Sequence, residues 1–143
     1  MGRTVLAFGS FDVLHPGHLL YLKRAKARGD LLIVVIARDS TISMIKGRAP
    51  VFNEKERLGM VEALKMVDKA VLGGRVKDPE GMYNILKKYK PDIVVLGYDQ
   101  NATGLKEWVE GNKLNIKVVR LRKGFKTGRF KSSKVKEALG REL

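Results

Sequence analysis

The residues with the clearest chemistry are two histidines in the stretch GSFDVLHPGH, which begins at Gly9 and ends at His18. His15 and His18 are three positions apart, and Pro16 between them suits the first position of a helix. This spacing places both imidazoles on the first helical turn, beside backbone N–H groups without helical partners and the positive end of the helix dipole. Gly9 and Gly17 allow a phosphate chain to approach the backbone closely. The stretch therefore predicts an anion site suited to phosphoryl or nucleotidyl transfer.

The two histidines could also be metal ligands or structural helix caps. Zinc-binding helices usually place their histidines four apart and need further ligands, whereas this chain has two His and no Cys, so we assign no metal ligand. Each imidazole taken alone could be a partly buried helix cap. No Gly is followed by Lys, and the turn lacks the G-x-G-x-x-G pattern. A P-loop NTPase and a dinucleotide-dependent dehydrogenase are therefore disfavoured.

Short runs rich in Val, Ile and Leu alternate with amphipathic stretches of helix length, which is typical of β–α units. The predicted strands are Val5–Phe8, Leu31–Ala37, Val67–Leu72, Ile93–Gly97 and Ile116–Leu121. The predicted helices are Pro16–Arg28, Glu54–Met66, Glu80–Tyr89, Leu105–Glu110 and Ser133–Leu139. This order predicts a Rossmann-like α/β fold, a doubly wound parallel sheet of five strands with helices on both faces. Ligands are then expected beyond the carboxyl ends of the strands.

Local signals refine this scheme. Asn53, followed three residues later by Glu56, predicts a capping box at a helix start. The least regular stretches are residues 38–52 and 123–132, which are basic and follow predicted strands. Loops in such places commonly carry function, and a mobile surface loop that lysines keep soluble is the alternative.

Composition sets the class of protein. The 143 residues suit one domain, so residues 1–143 are expected to form a single unit. Hydrophobic residues make up 44% of the chain, which is enough for an ordinary core. No apolar run has the length of a membrane span, and the first residues lack the pattern of a signal peptide, so a cytoplasmic protein is expected. The absence of Cys excludes disulfides and cysteine nucleophiles. The net charge of +14 suggests nucleic acid, a nucleotide or a phosphorylated metabolite as partner, or else a solvated basic surface.

The histidine stretch resembles the G-x-F-D-x-x-H-x-G-H signature of the cytidylyltransferase-like nucleotidyltransferases, a superfamily that includes glycerol-3-phosphate cytidylyltransferase, phosphopantetheine adenylyltransferase and archaeal FAD synthases. The similarity extends over nearly the whole chain, through Lys46–Arg48, Glu56–Arg57, Val67–Asp68, Gly97–Gln100, Arg129 and Ser132–Ser133. In such enzymes a substrate phosphate attacks the α-phosphorus of a nucleoside triphosphate, pyrophosphate leaves, and no covalent enzyme intermediate forms.

The resemblance implies three catalytic residues. His15 and His18 would contact the triphosphate and stabilise the transition state, and Lys46 would bring positive charge to the reacting phosphates. Ser10 and Phe11 would hold the triphosphate through their backbone groups. The residues implied in nucleotide binding are Ser10, Phe11, His15, Pro16, Gly17, His18, Asp99, Arg129, Ser132 and Ser133.

The later loops would complete this nucleotide site. Asp99 would face the ribose, and Ser132 and Ser133 would present a hydroxyl and helix N-terminal amides to the β- and γ-phosphates. Residues Arg129–Lys134 depart from the common R-x-x-G-I-S-T-[ST] pattern because the Gly-Ile pair is missing. The position of Arg129 relative to the arginine of the family is therefore not fixed by the pattern.

Three charged residues have further interpretations. Arg48 and Arg57 are candidates for additional phosphate contacts, although Arg57 could equally form a solvated ion pair near Glu54. Asp12 could position a divalent cation, but a structural role beside the helix start is favoured. Magnesium is expected with the nucleotide, because the substrate of such reactions is usually the metal complex.

The acceptor is suggested by the segments that most resemble archaeal FAD synthases, which are Arg38–Pro50, Met60–Asp68 and Val94–Gln100. Those enzymes join AMP from ATP to FMN, so the resemblance implies an FMN adenylyltransferase, with a homodimer suggested by resemblance alone. The alternatives are CTP-dependent glycerol-3-phosphate cytidylyltransferase, phosphopantetheine adenylyltransferase and, more distantly, a non-catalytic nucleic-acid-binding module. The module is disfavoured because the basic residues are spread along the chain. Aromatic candidates for stacking on a flavin or purine are Tyr98, Trp108, Phe125 and Phe130.

Overall fold

A computed structural model describes residues 2–77 and 79–123 of the chain. In this part of the chain five parallel strands form one sheet in the order β3-β2-β1-β4-β5. The strands are β1 Thr4–Gly9, β2 Leu31–Ile36, β3 Lys69–Leu72, β4 Ile93–Leu96 and β5 Lys117–Arg120. The predicted α/β class and parallel sheet are confirmed, with strand bounds that differ from the prediction by one or two residues.

Helices connect the strands. They are α1 Pro16–Lys26, α2 Asp39–Lys46, α3 Glu54–Glu62, α4 Ile85–Tyr89 and α5 Leu105–Gly111, and a 3₁₀ segment, Pro79–Asn84, runs directly into α4. None of the helices within the described residues has both the length and the apolar character needed to cross a membrane.

Alternate residues of β1 point to opposite faces of the sheet, as the pleat requires. Val5 and Ala7 pack with α1 and α3 on one face, whereas Leu6 and Phe8 pack with the 3₁₀ segment, α4 and α5 on the other. Both faces are therefore covered, which explains the nearly continuous apolar runs of the central strands.

The strand order places the switch point of the sheet between β1 and β4. The chain proceeds from β1 to β2 and β3 on one side, and then returns to β4 and β5 on the other. The loops that leave β1 and β4 at their carboxyl ends therefore diverge and leave a crevice, which is where open α/β sheets bind ligands.

The capping box predicted at Asn53 is confirmed. The Glu56 N–H donates to the Asn53 side-chain oxygen at 2.8 Å, and the Asn53 N–H donates to the Glu56 carboxylate at 3.0 Å. Two N–H groups at the start of α3 are thus satisfied by side chains.

Two helix predictions were wrong. Residues 38–52 were expected to be irregular, but they contain α2, which ends where Gly47 adopts a left-handed conformation with φ of 72°. The segment was missed because its serine, threonine and isoleucine residues have weak helix propensity, whereas burial of Thr41 and Ile42 stabilises it. The expected helix 80–89 is split into the 3₁₀ segment and α4. The helix predicted over residues 133–139, and all but the first residue of the stretch 123–132, lie outside the described residues, so the single domain over residues 1–143 stays a prediction.

Candidate active site

The two histidines form the start of α1. His15 is the N-cap residue, with extended backbone angles, and its Nδ1 accepts a hydrogen bond from the Gly17 N–H at 3.1 Å. His18 is the third residue of the helix, and its Nδ1 accepts a hydrogen bond from the His15 N–H at 3.3 Å. The centroids of the two rings are 3.9 Å apart. The pair is therefore a capping box built from two imidazoles.

This capping arrangement fixes which ring nitrogen carries the proton. Because each Nδ1 accepts a backbone N–H through its lone pair, each neutral imidazole must hold its proton on Nε2. Burial lowers the pKa of His15 below its ordinary value, which favours the neutral ring. The His15 side chain is buried and that of His18 is half-buried. The pair therefore carries two Nε2–H donors at the positive end of α1, and such donors can stabilise charge that develops on phosphate oxygens.

The turn between β1 and α1 contains an unusual backbone conformation. Phe11 has a φ of +50°, in the left-handed region that side chains other than glycine rarely adopt. Its ring is 2% exposed and packs near the rings of His18 and Tyr21, at centroid distances of 5.4 and 6.5 Å. A Cβ at Gly9 would lie 2.5 Å from this ring, so Gly9 is required for the ring to cover the end of β1.

We expect Gly9→Ala to destabilise the protein by about 1–3 kcal/mol, because the new methyl group would overlap a buried ring that has little room to move. The free energy of unfolding in urea measures this change. Gly59→Ala is the matched control, since a Cβ at Gly59 meets no atom within 4 Å and alanine favours the helix. Equal stability of the Gly9 variant and the wild type would contradict the packing argument.

Asp12 connects this turn to the loop before α3. Its two carboxylate oxygens accept hydrogen bonds from the backbone N–H groups of Val51 and Phe52, each at 2.9 Å, and its side chain is 4% exposed. These contacts support the favoured structural role, with Asp12 acting as a bridge between two loops. Within residues 2–77 and 79–123, no three His, Asp or Glu side chains come together as a metal-binding group.

A pocket of about 160 Å³ adjoins the histidine turn at the carboxyl ends of β1 and β2. Its walls are mainly apolar and include Phe8, Val35, Ile42, Ile45 and Met82. Its polar lining includes Ser10, Arg38, Lys46 and Gln100. The two histidines do not line this pocket. Gly9 and Ser10 belong both to its wall and to the histidine turn, so the pocket and the turn are contiguous.

Lys46 reaches this pocket from the last residue of α2, and its side chain is exposed. Arg48 is also exposed, two residues further on and past the left-handed Gly47, and it does not line the pocket. The helix thus places the predicted catalytic lysine in the lining of the pocket that Ser10 also lines, whereas Arg48 lies beyond the end of the helix.

Arg57 differs from both of its predicted roles. Its side chain is fully buried, so in this structure it presents no surface to a phosphate, and the guanidinium of its ion pair is not exposed to solvent. The guanidinium donates to the carbonyl oxygens of Phe52, Ser10 and Ala37 at 3.0, 2.9 and 2.7 Å, and to the Asp39 carboxylate at 2.6 Å. The sequence indicated a charged residue on a helix, but not that four acceptors surround it.

Glu54, the expected partner of Arg57, instead fixes the start of α2. It accepts a hydrogen bond from the Asp39 N–H at 3.0 Å and forms an ion pair with Arg38 at 2.8 Å. These donors, the Asp39 amide first, lower the pKa of the Glu54 carboxyl. Arg38 also donates to the Gly73 carbonyl at 2.8 Å and so connects the starts of α2 and α3 to the end of β3.

Asp99 lies on an exposed turn just after β4, across the switch point from the turn that follows β1. The turn is held by the Gln100 side chain, which accepts from the Gly97 N–H at 3.1 Å and donates to the Phe8 carbonyl at 3.0 Å. Arg120 donates to the carbonyls of Gly97 and Gln100 at 2.9 and 2.7 Å. Sequence reasoning gave no role to Gln100 or Arg120, because no local pattern reveals partners that lie 20 or more residues away.

Two of the aromatic stacking candidates, Tyr98 and Trp108, lie within the described residues. Tyr98 is half-buried on the turn after β4. Trp108 packs edge-on against Tyr83 in the core on the α5 side, at a centroid distance of 6.1 Å, which favours core packing over substrate stacking. The remaining predicted residues lie outside the described residues, namely Phe125, Arg129, Phe130, Ser132 and Ser133. Their roles stay predictions.

Comparisons with known proteins agree with this geometry. Proteins named FAD synthase are similar to the chain over most of its length. The protein from Aciduliprofundum boonei is 47% identical over 121 residues, which cover 83% of this chain and 78% of that protein. The protein from Thermococcus sibiricus is 40% identical over 134 residues, which cover 92% and 88% respectively.

Among solved structures, a protein of Thermoplasma volcanium described as a lipopolysaccharide core biosynthesis protein superposes with a TM-score of 0.78. It is 40% identical and covers 87% of this chain and 100% of its own. Thermotoga maritima TmcAL bound with alpha-thio ATP has a TM-score of 0.73 at 14% identity, covers 98% of this chain and 50% of its own, and shows likeness of fold alone. A family profile described as cytidylyltransferase-like matches residues 6–138. With nearly the whole chain matched and the two-imidazole turn in place, the protein belongs to the cytidylyltransferase-like family.

Proposed function

We propose that the protein is an FMN adenylyltransferase that transfers AMP from magnesium-bound ATP to FMN and yields FAD and pyrophosphate. The observation that carries the proposal is the imidazole capping box, which fixes two Nε2–H donors at the start of α1. The choice of FMN and ATP is supported by the relatives named FAD synthase, which are 40 to 51% identical.

The proposed reaction is a direct displacement. An oxygen of the FMN phosphate attacks the α-phosphorus of ATP, a new P–O–P bond forms, and the bond between the α-phosphorus and its bridging oxygen to the β-phosphate breaks. Magnesium arrives with ATP as part of the substrate and is released with pyrophosphate. His15 and His18 donate Nε2–H to phosphate oxygens, and Lys46 offsets the negative charge of the reacting groups.

The pocket beside Ser10 suits the acceptor. Its apolar walls suit the dimethylbenzene part of the flat flavin ring, and Ile45 is 52% exposed and so still has apolar surface to cover. Lys46 lines the same pocket and can attract the phosphate of the acceptor. Because Ser10 also belongs to the histidine turn, an acceptor held there brings its phosphate towards the bound triphosphate. Asp99, across the switch point, remains our proposed contact to the ribose.

The proposal extends to the location and the oligomeric state of the protein. An enzyme that uses ATP and FMN is expected in the cytoplasm, where both compounds are made and consumed. We also keep the homodimer as a prediction, which gel filtration with light scattering would test directly.

The test is incubation of the purified protein with magnesium, either ATP or CTP, and one of FMN, glycerol-3-phosphate or phosphopantetheine. We expect pyrophosphate release and a nucleotidylated product with ATP and FMN, and FAD is identified by chromatography. The double variant His15→Ala, His18→Ala is the control for contaminating activity. Product formation with CTP and glycerol-3-phosphate, and none with ATP and FMN, would replace this proposal by a cytidylyltransferase.

A further inference from the structure

We propose that Arg57 is a positioning residue for nucleotidyl transfer, which holds the peptide between Ser10 and Phe11 and the start of α2 in one fixed arrangement. The inference rests on the proposed function, because it concerns the geometry of that active site. Arg57 itself does not touch the substrate in this scheme, since its side chain has no exposed surface.

Arg57 orients the peptide bond that follows Ser10. The peptide is planar and trans, so the Ser10 carbonyl and the Phe11 N–H point in opposite directions. Arg57 donates to that carbonyl at 2.9 Å and thereby sets the direction of the Phe11 N–H, which points away from the guanidinium. Ser10 and Phe11 are the residues whose backbone is predicted to hold the triphosphate, so Arg57 orients a predicted binding group from behind.

The backbone of Phe11, which follows this peptide, is strained. Phe11 adopts a φ of +50°, a conformation that persists in a residue with a side chain when its surroundings hold it. On one side of this residue the buried ring packs under Gly9 and beside His18. On the other side the preceding carbonyl is bonded to Arg57. These contacts together determine a turn that would otherwise relax.

Arg57 also connects the histidine turn to the helix that carries Lys46. The same guanidinium donates to the Ala37 carbonyl at 2.7 Å and to the Asp39 carboxylate at 2.6 Å. Asp39 is the first residue of α2 and Lys46 is its last. One side chain therefore fixes both the histidine turn and the helix that carries Lys46, so the distance between these two parts of the site depends on it.

The chemistry of the residue supports this role over simple core filling. A buried charge is costly unless its donors are bonded, and an apolar side chain of similar volume would fill such a space with less cost. Guanidinium is planar and presents donors in several fixed directions, which suits four acceptors from three separate segments of the chain. Lysine at this position has three donors on one atom and cannot reproduce that arrangement.

The test compares Arg57→Lys with the wild type. Lys55→Gln is the control for effects of altering α3 as such, because it changes an exposed side chain of the same helix. Rates are measured at a temperature where circular dichroism shows each protein to be folded. We expect kcat for FAD formation to fall by roughly tenfold or more in Arg57→Lys, with KM for ATP changed less than about threefold, since misplaced groups affect the transition state most. Lys55→Gln should retain wild-type kinetics.

A second readout does not depend on turnover. In ¹H–¹⁵N NMR spectra, Arg57→Lys should shift the amide signals of Ser10 and Phe11, while those of β5 stay in place. Unchanged signals and unchanged kcat in a folded variant would overturn the inference. If the wild type makes no FAD, the proposed function fails, and the NMR comparison still decides whether Arg57 orients the turn.

Asp39→Asn covers the case in which Arg57→Lys does not fold. This substitution weakens one contact of the guanidinium at a position that is partly exposed, with 38% of the Asp39 side chain accessible. We expect a severalfold loss of kcat in the folded variant, together with a lower free energy of unfolding, because the buried guanidinium keeps an oxygen acceptor but loses the countercharge of Asp39. A wild-type kcat in Asp39→Asn would remove the link between Arg57 and α2 from the inference.

Discussion

Replacing His18 with alanine is expected to lower the turnover number of AMP transfer by at least roughly a hundredfold, because one preorganised donor to a developing oxyanion contributes about 2.7–4 kcal/mol. The variant also loses the Nδ1 acceptor of the His15 N–H, so a stability loss of about 1 kcal/mol is expected. Steady-state kinetics of FAD formation and urea unfolding measure the two effects separately. A turnover number equal to that of the wild type would refute the catalytic role of His18.

Two further substitutions at His18 separate Nδ1, which caps the helix, from Nε2, which is the proposed donor to the substrate. The side-chain oxygen of Asn can occupy the position of Nδ1, so His18→Asn should keep the cap and its stability while turnover stays as low as in His18→Ala. The amide nitrogen of Gln can approach the position of Nε2, so His18→Gln should recover part of the turnover. Equal activity of the Asn and Gln variants would contradict the assignment of the donor to Nε2.

Lys46→Ala is expected to lower the turnover number by roughly a hundredfold and to weaken the binding of magnesium-bound ATP, because in the proposed reaction the Lys46 charge offsets that of the reacting phosphates. Lys46 is exposed at the end of a helix, so the folding cost should stay below about 1 kcal/mol. Initial rates at several ATP concentrations, with isothermal titration of ATP, give both quantities.

Lys65→Ala is the matched control for the lysine variant. Lys65 is exposed, follows α3 and does not line the pocket, so its loss changes the net charge by the same amount. Its kinetics should match the wild type. If Lys46→Ala and Lys65→Ala behave alike, the lysine at the pocket has no specific part in the reaction.

The parts of the fold that could be predicted are those in which local sequence and burial agree. Strand β1 is covered on both faces, so the residues that point to either face are apolar. The resulting uninterrupted apolar run, Val5–Phe8, indicates a central strand from sequence alone. The Asn53 cap is a local pattern and was predicted with its partner. The histidine turn is likewise local, since its capping contacts span three residues.

The features that were missed depend on contacts between distant segments. The Arg57 side chain can be buried because four acceptors from three segments of the chain surround it, and no spacing in the sequence shows this. Helix α2 has weak local propensity and is held by buried Ile42 and by the contact of Glu54 with its first N–H. Gln100 holds the turn after β4 through the end of β1, which lies 92 residues earlier.

The double use of each histidine ring has an evolutionary consequence. Nδ1 of His15 caps the helix, whereas Nε2 has a use only in the proposed reaction. Selection for folding alone would therefore accept an ordinary N-cap residue at this position. A descendant of this scaffold that had lost its activity should therefore accumulate Ser, Asp or Asn at position 15, with Glu or Gln at position 18. Retention of both imidazoles across a lineage would mark the members that still catalyse nucleotidyl transfer.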